Sequence, residues 1–190
     1  HVSVKTLKLV EECRKLQTSI FFDRKGEKKS KKSRWKGVHM PKKELAKGYT
    51  TGTCAQAATK AAMQMLFTGE KVRQIQVELP QGEKLCLDIE DIQREYKSGQ
   101  KRLPAEVSCA VKKNSGDDPD ITNGVLVYSK VRISDTGKIC IDGGNGVGRV
   151  TKPGLDQPVG EAAINCVPRQ MIRKEVEEAC EEVGYTGGID

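Results

Sequence analysis

The stretch Gly48-Tyr-Thr-Thr-Gly-Thr-Cys-Ala-Gln-Ala-Ala-Thr-Lys-Ala-Ala62 joins a turn of glycines and hydroxyls directly to a run of very small side chains. No other segment restricts the fold as much. Ala58, Ala61, Ala62, Met65 and Leu66 recur at i, i+3, i+4, i+7 and i+8, which predicts a helix from about Thr53 to Phe67 buried along one stripe. Thr51 or Thr53 can cap it, and Gly52 accepts backbone geometry that other residues resist. The first-turn amides around Thr50, Thr51, Gly52 and Thr53 can then receive an anion or polar ligand. The same residues also suit an ordinary capped helix packed closely through its alanines, although three threonines are more hydroxyl than one cap requires.

At 190 residues the chain can bury one good core or two small domains. It holds no apolar run of membrane-spanning length and no secretory signal pattern, so a cytoplasmic location is the default expectation. Seven cysteines, Cys13, Cys54, Cys86, Cys109, Cys140, Cys166 and Cys180, are odd in number and never spaced C-x-x-C. That spacing argues against a disulfide framework and against a zinc site, and predicts reduced, mostly buried thiols.

The net charge of +7 is unevenly placed. Residues 1–39 carry 12 Lys/Arg against 4 Asp/Glu, whereas residues 40–190 carry 21 against 22. The body is nearly neutral, which argues against a nucleic-acid surface spread over the whole molecule. Within residues 1–39, Val4 to Gln17 shows weak helical periodicity and Arg24 to Lys36 is a basic, low-complexity run expected to be solvated and disordered. Met40-Pro41 begins the body, so residues 1–39 are expected to be an extension and 40–190 the folded unit.

Beyond the first helix the pattern changes to period two with β-branched residues. Strands are expected at Val72–Leu79, Lys84–Ile89, Ala105–Val111, Val125–Ile133 and Lys138–Ile141, with a turn at Pro80-Gln-Gly82. A last helix is expected from Cys166 to Val183, with Asn165 as its N-cap and Gly184 past its end. Its buried stripe would be Ile172, Val176, Ala179, Cys180 and Val183. Helix, strands and helix in that order predict an α+β fold, a mixed or antiparallel sheet flanked by helices. A β-α arrangement like the second domain of ribosomal protein S5 is the alternative.

Two loops could carry chemistry. Lys112-Lys-Asn-Ser-Gly-Asp-Asp-Pro-Asp-Ile-Thr-Asn-Gly124 crowds Asp117, Asp118 and Asp120 between two strands, where carboxylates can hold ribose hydroxyls or a cationic ligand, or can simply make the turn. Asp142-Gly-Gly-Asn-Gly-Val-Gly-Arg149 matches the D-x-G-x-G-x-G loop of Rossmann methyltransferases. That fold needs a helix at once, and Pro153 and Pro158 prevent it. The Rossmann assignment fails, but Gly144, Gly146 and Gly148 could still approach a ligand closely, with Arg149 and Lys152 alongside. A glycine-rich hairpin loop is the competing reading. In the last helix, Arg169, Arg173 and Lys174 stand at the positive end of the dipole and four glutamates near its negative end, which costs stability unless an anion or solvent compensates.

Taken in order, GYTTGTCAQAATKAA, VKKNSGDDPDITNG, GGNGVGRVTKPGL, PVGEAAIN and VPRQMI closely resemble the cobalt-precorrin-5B (C1)-methyltransferase family of anaerobic cobalamin biosynthesis. The resemblance covers about Lys47 to Asp190. It implies methyl transfer from S-adenosylmethionine to ring carbon 1 of cobalt-precorrin-5B, giving cobalt-precorrin-6A, and a fold other than the Rossmann type. It also implies that this chain is an N-terminal half, the family's second half being absent. A non-catalytic corrinoid-binding half-protein, or a basic nucleic-acid-binding module built on residues 1–39, are the alternative readings, and a homo-oligomer is open.

Charge complementarity then distributes roles. Thr50, Thr51, Gly52, Thr53, Asp117, Asp118, Asp120, Gly144, Gly146 and Gly148 would meet the cationic, ribose-bearing methyl donor. Lys112, Lys113, Arg149, Lys152, Arg169 and Arg173 would meet the acetate and propionate groups of the macrocycle. No catalytic residue or metal ligand is singled out. His1 and His39, the only histidines, lie outside the resemblance. Aligning two reactants can supply much of the acceleration without a histidine base.

Overall fold

The computed structural model describes the strand Val2–Val4 and residues 48–99 and 102–190. Its elements are β1 (Val2–Val4), α1 (Thr51–Thr68), β2 (Gln74–Glu78), β3 (Lys84–Asp88), β4 (Glu90–Glu95), β5 (Glu106–Lys112), β6 (Leu126–Ser134), α2 (Cys166–Val183) and β7 (Gly188–Ile189). One antiparallel sheet runs β1-β6-β5-β4, with β7 also paired to β6, and a separate hairpin pairs β2 with β3. The expected α+β fold, without Rossmann topology, is what the chain adopts.

α1 lies on β5 and β6 and is covered on its other side by α2. That sandwich explains its composition. Rather than a single buried stripe, nearly the whole circumference from Thr53 to Leu66 is buried, including Gln56 and Thr59, and only Lys60 and Gln64 reach outward. Alanines at 55, 57, 58, 61 and 62 let three layers close on one helix. Its buried polar side chains reach across the layers: Thr59 Oγ1 shares a 2.9 Å hydrogen bond with Ser129 Oγ on β6, and Gln56 Nε2 donates to Glu175 Oε1 at 2.6 Å and to the Glu78 carbonyl at 3.2 Å, while Gln56 Oε1 has no hydrogen-bond partner among the described residues.

The two helices run side by side in the same direction. Gly52, at the start of α1, is so close to Pro168, at the start of α2, that an added Cβ would sit 3.1 Å from Pro168 Cγ. At the other end the rings of Phe67 and Tyr185 lie 5.4 Å apart. Both helix N-termini therefore open at one end of the molecule.

Four expectations need correction. β4 went unforeseen, and its charged sequence EDIQRE buries little. Lys138–Ile141 forms no strand, only a parallel bridge from Ile139 to Ile189, because β7 occupies the neighbouring edge of β6. On α2, Glu175 is 3% exposed while Val183 is 52% exposed, so the buried stripe is Ile172, Glu175, Val176 and Cys180. Of the six described cysteines, Cys54, Cys109 and Cys180 are buried and Cys86, Cys140 and Cys166 are exposed.

Within the supposed extension, Val2–Val4 pairs antiparallel with Val127–Ser129 of β6. The Val4–Gln17 periodicity, the basic run at Arg24–Lys36 and Met40-Pro41 otherwise lie outside the described residues. Among those residues, no helix is long and apolar enough to cross a membrane.

Candidate functional site

Thr50, not Thr51 or Thr53, caps α1: its backbone is extended, and its Oγ1 accepts from the Thr53 amide at 3.2 Å. The Cys54 amide takes the Thr50 carbonyl at 3.1 Å. The amides of Thr51 and Gly52 lie in the first turn, where no intrahelical acceptor exists. Thr53, 4% exposed, is spent on the cap.

The segment ahead of the helix is stitched to the acidic loop. The Tyr49 amide donates to the Asn114 carbonyl at 2.8 Å, and its hydroxyl to the Lys112 carbonyl at 3.1 Å. Gly48 presses on Ser115 so closely that an added Cβ would lie 2.2–2.5 Å from the Ser115 backbone. Burial, first of all, raises the Tyr49 phenol above its ordinary range.

The loop itself is ordered by its own groups. Lys113, 7% exposed, pairs with Asp120 and donates to Thr122 Oγ1 at 2.5 Å. Asp120 Oδ1 also accepts from the Thr122 amide at 2.8 Å. The Lys113 ammonium, followed by the Thr122 donors, holds the Asp120 carboxyl well below the usual carboxylate range. Asp117 and Asp118 stand exposed at the loop tip. Ser115 is buried, and its Oγ has no hydrogen-bond partner among the described residues.

These pieces enclose a cavity of about 820 Å³ lined by Gly48 to Gly52, Lys113, Ser115, Asp117 to Asp120 and, from α2, Val167, Pro168 and Met171. Seven of the expected site residues meet there: Thr50, Thr51, Gly52, Lys113, Asp117, Asp118 and Asp120. Gly48, Tyr49, Ser115, Val167, Pro168 and Met171 were not singled out from the sequence. The volume falls in the range of about 300–1,000 Å³ usual for small-ligand sites.

The glycine loop does not join them. Arg149 closes on Asp142 with two hydrogen bonds, at 2.6 and 2.7 Å, and the Asp142 carboxyl is lowered chiefly by that arginine. The Ala163 amide donates to the Gly148 carbonyl at 2.8 Å and the Val150 amide to Glu161 at 2.9 Å, so the chain folds into a short hairpin. Gly144 accepts the Val147 amide at 3.1 Å, and Gly146 sits at φ +90° in the turn. Gly144, Gly146, Gly148, Arg149 and Lys152 do not line the cavity.

The remaining cations are also placed elsewhere. Arg169 donates to the carbonyls of Ile141 at 2.8 Å, Ala162 at 3.2 Å and Ile164 at 3.2 Å. Those carbonyls answer the cost of a cation at a helix N-terminus without any external anion. Arg173 reaches the Ile139 carbonyl at 3.4 Å, and Lys112 is exposed beside the loop rather than inside the cavity. Asn165 occupies the N-cap position of α2 but makes no side-chain capping bond.

A second hollow of about 690 Å³ lies among Lys71, Arg73, Gln74, Asp88, Ile89, Asp91 and Ile92. Asp91 there has φ +46°, with its carboxylate held by the Tyr128 hydroxyl at 2.7 Å. It offers no helix end and none of the motif residues, so the first cavity is the candidate site. Among the described residues no cluster of His, Cys, Asp or Glu has the makings of a metal site.

The CbiD family model matches residues 38–189. A cobalt-precorrin-5B C(1)-methyltransferase of Alkaliphilus metalliredigens is 48% identical over 148 residues, 78% of this chain and 36% of the relative. One from Treponema denticola is 50% identical over 133 residues, 70% of this chain and 36% of the relative. The crystal structure of the cobalamin biosynthesis protein cbiD from Archaeoglobus fulgidus superposes with a TM-score of 0.53 at 28% identity, covering 76% of this chain and 42% of that one. The match thus spans little more than a third of the curated relatives' length. With the family model matching most of its length, the chain belongs to the CbiD family.

Proposed function

We propose that this chain serves the S-adenosylmethionine-dependent methylation of carbon 1 of cobalt-precorrin-5B, giving cobalt-precorrin-6A. The observation that carries the reading is the 820 Å³ cavity between the Gly48–Gly52 turn and the Ser115–Asp120 loop, the meeting place of two family-defining segments. Its residues suit the methyl donor. Asp117 and Asp118 line the cavity and complement a cation, and the first-turn amides of Thr51 and Gly52 offer donors to a polar group. The cavity is of cofactor size, so the much larger macrocycle would lie across its mouth.

When bound, S-adenosylmethionine supplies an electrophilic methyl group and leaves as a neutral thioether. The chain's own part is to bind, orient and exclude water. Val167, Pro168 and Met171 give the cavity an apolar wall, while the rigid α1 end and the Lys113–Asp120 pair fix its polar side. Lys112 and Lys152 are the exposed cations offered to the macrocycle's carboxylates; Arg149, Arg169, Arg173 and Lys113 would serve only by sharing groups they already hold. Acceleration would come from alignment of the two reactants.

Titration calorimetry of the chain with S-adenosylhomocysteine tests this. Saturable binding that weakens severalfold in Asp118→Ala is expected, and a chain that takes up no ligand would refute the reading. Turnover is then measured with the remaining portion of a relative supplied in trans.

A further inference from the structure

We infer that Glu175 is a positioning residue: gripped by Gln56 and Lys60, it fixes the register of α2 on α1 and so sets how the two helix starts meet at the candidate site. The consequence for binding rests on the reading above; the register itself does not. Gln56 Nε2 donates to Glu175 Oε1 at 2.6 Å, and Lys60 Nζ lies 3.3 Å from Glu175 Oε2. Residues 56 and 60 stand one turn apart on the same face of α1, so a single side chain of α2 is held at two successive levels. A slip of one turn along the helix pair would give up at least one of the two grips.

The apolar part of the contact sets that register only weakly. Besides Glu175, α2 buries Ile172, Val176 and Cys180, and α1 answers with a surface built largely of alanine. Small side chains of equal size give similar seats at successive turns, whereas a polar pair fits at one offset. Burial of the carboxylate is itself costly, since Glu175 is 3% exposed and an apolar residue in its place would avoid the desolvation. What a charge gives there is one arrangement of the two helices in preference to others.

The tie lies one helical turn from the cavity. Gln56 follows Gly52 by one turn and Glu175 follows Met171 by one turn, and Gly52, Pro168 and Met171 all line the site. Gln56 is also anchored to the Glu78 carbonyl at 3.2 Å, which keeps its amide aimed at α2. At the cavity a Cβ added to Gly52 would sit 3.1 Å from Pro168 Cγ, so the helix starts meet without slack. A slip of one turn displaces α2 by about 5.4 Å, enough to take Pro168 off Gly52 and the apolar wall out of place.

Two readouts on the 190-residue chain test the inference. For the register, Gly52→Cys with Pro168→Cys places the two Cβ atoms 3.4 Å apart, close to the disulfide spacing of about 3.5–4.5 Å. Oxidation should join them in the parent, and peptide mass mapping reads the bond. For the site, S-adenosylhomocysteine affinity is measured by calorimetry without the added cysteines. Gln56→Leu/Glu175→Leu should keep its circular dichroism and a urea midpoint no lower than the parent's, because both polar partners are replaced together. It should nevertheless lose most of the crosslink and about tenfold in affinity. Glu175→Gln keeps an acceptor for Gln56 and should stay within about twofold of the parent in both readouts. A merely stabilising role predicts the reverse, a lowered midpoint with crosslink and affinity intact. Either readout undiminished in the leucine pair overturns the inference, as does a Glu175→Gln variant that loses both. Where the leucine pair does not fold, Glu175→Met carries the same test. A parent that binds no S-adenosylhomocysteine refutes the function, and the crosslink alone then decides the register.

Discussion

Two glycine-rich turns in this molecule end differently. At Gly48–Gly52 the backbone is pinned by neighbours yet leaves donors and a hydroxyl facing a cavity. At Asp142–Arg149 the glycines let the chain turn back so that Arg149 can grasp Asp142, and the polar groups satisfy one another. Glycine supplies close approach in the first case and a reversal in the second. The difference lies in what surrounds each turn: two helix ends and a strand-connecting loop around one, a hairpin around the other.

The sharpest way to break this contrast is to add one methyl group to each turn. In Gly48→Ala the new Cβ meets backbone atoms of Ser115 at 2.2–2.5 Å, which cannot rotate away. We expect a loss of about 1–3 kcal/mol, the cost of overpacking, together with loss of ligand binding. Gly148→Ala meets nothing within 4 Å and should stay within about 0.5 kcal/mol of the parent. Urea denaturation of both variants measures the pair, and equal effects would show that the two turns are equally constrained.

The next comparison is between the two cation–carboxylate pairs. Lys113 is buried against Asp120 and Thr122, so Lys113→Met should cost about 1.5 kcal/mol by stranding charge-assisted hydrogen bonds. Arg149 and Asp142 are both roughly half exposed, and Arg149→Met should hardly move the denaturation midpoint. A larger effect at Arg149 would mean that the hairpin, and not the cavity loop, is the structural keystone.

Sequence patterns reached most of this fold because most of it is locally encoded. The alternation of Ile75 and Val77 against Leu85 and Leu87, turned by Pro80-Gln-Gly82, describes the β2–β3 hairpin without tertiary information. Glu90–Glu95 escaped because an edge strand with only Ile92 and Arg94 partly buried carries no alternating apolar signal. Lys138–Ile141 misled for the opposite reason: its pattern suits a strand, but the edge it needs is taken by Gly188–Ile189, almost fifty residues later. For the site, hydroxyls, glycines and aspartates were visible, yet nothing local tells that Asp120 is held by Lys113 or that Arg149 closes on Asp142. Ser115 was silent because its importance comes from Gly48 packing on its backbone, across the fold.

The starts of the two helices offer a smaller test at the same cavity. Thr50 caps α1 through a 3.2 Å bond, so Thr50→Ala should cost about 1 kcal/mol and loosen the amides that face the ligand. Asn165 makes no side-chain capping bond, and Asn165→Ala should be close to neutral. Thermal melts of the two single variants suffice. Equal destabilisation would mean that the α2 cap forms in solution and that both helix ends are rigid alike.

Acid sensitivity separates the two regions most finely. Asp120 is held below its ordinary value of 3.8 by Lys113 and the Thr122 donors, and Asp142 is lowered by Arg149. A carboxyl depressed in the fold binds its proton more readily when the chain unfolds. Its contribution is therefore complete above the unfolded value near 4 and is lost as pH falls from there through the folded value. The parent should lose stability steadily below about pH 4, measured as urea midpoints at successive pH values. Asp120→Asn should flatten that limb by removing the titrating group, at the expense of lower stability at neutral pH. Asp142→Asn should flatten it less, because its partner stands in solvent and is screened. If the two substitutions flatten the limb equally, the buried lysine confers no advantage on the cavity loop, and the distinction between a site held ready for a ligand and a hairpin tied to itself loses its electrostatic support.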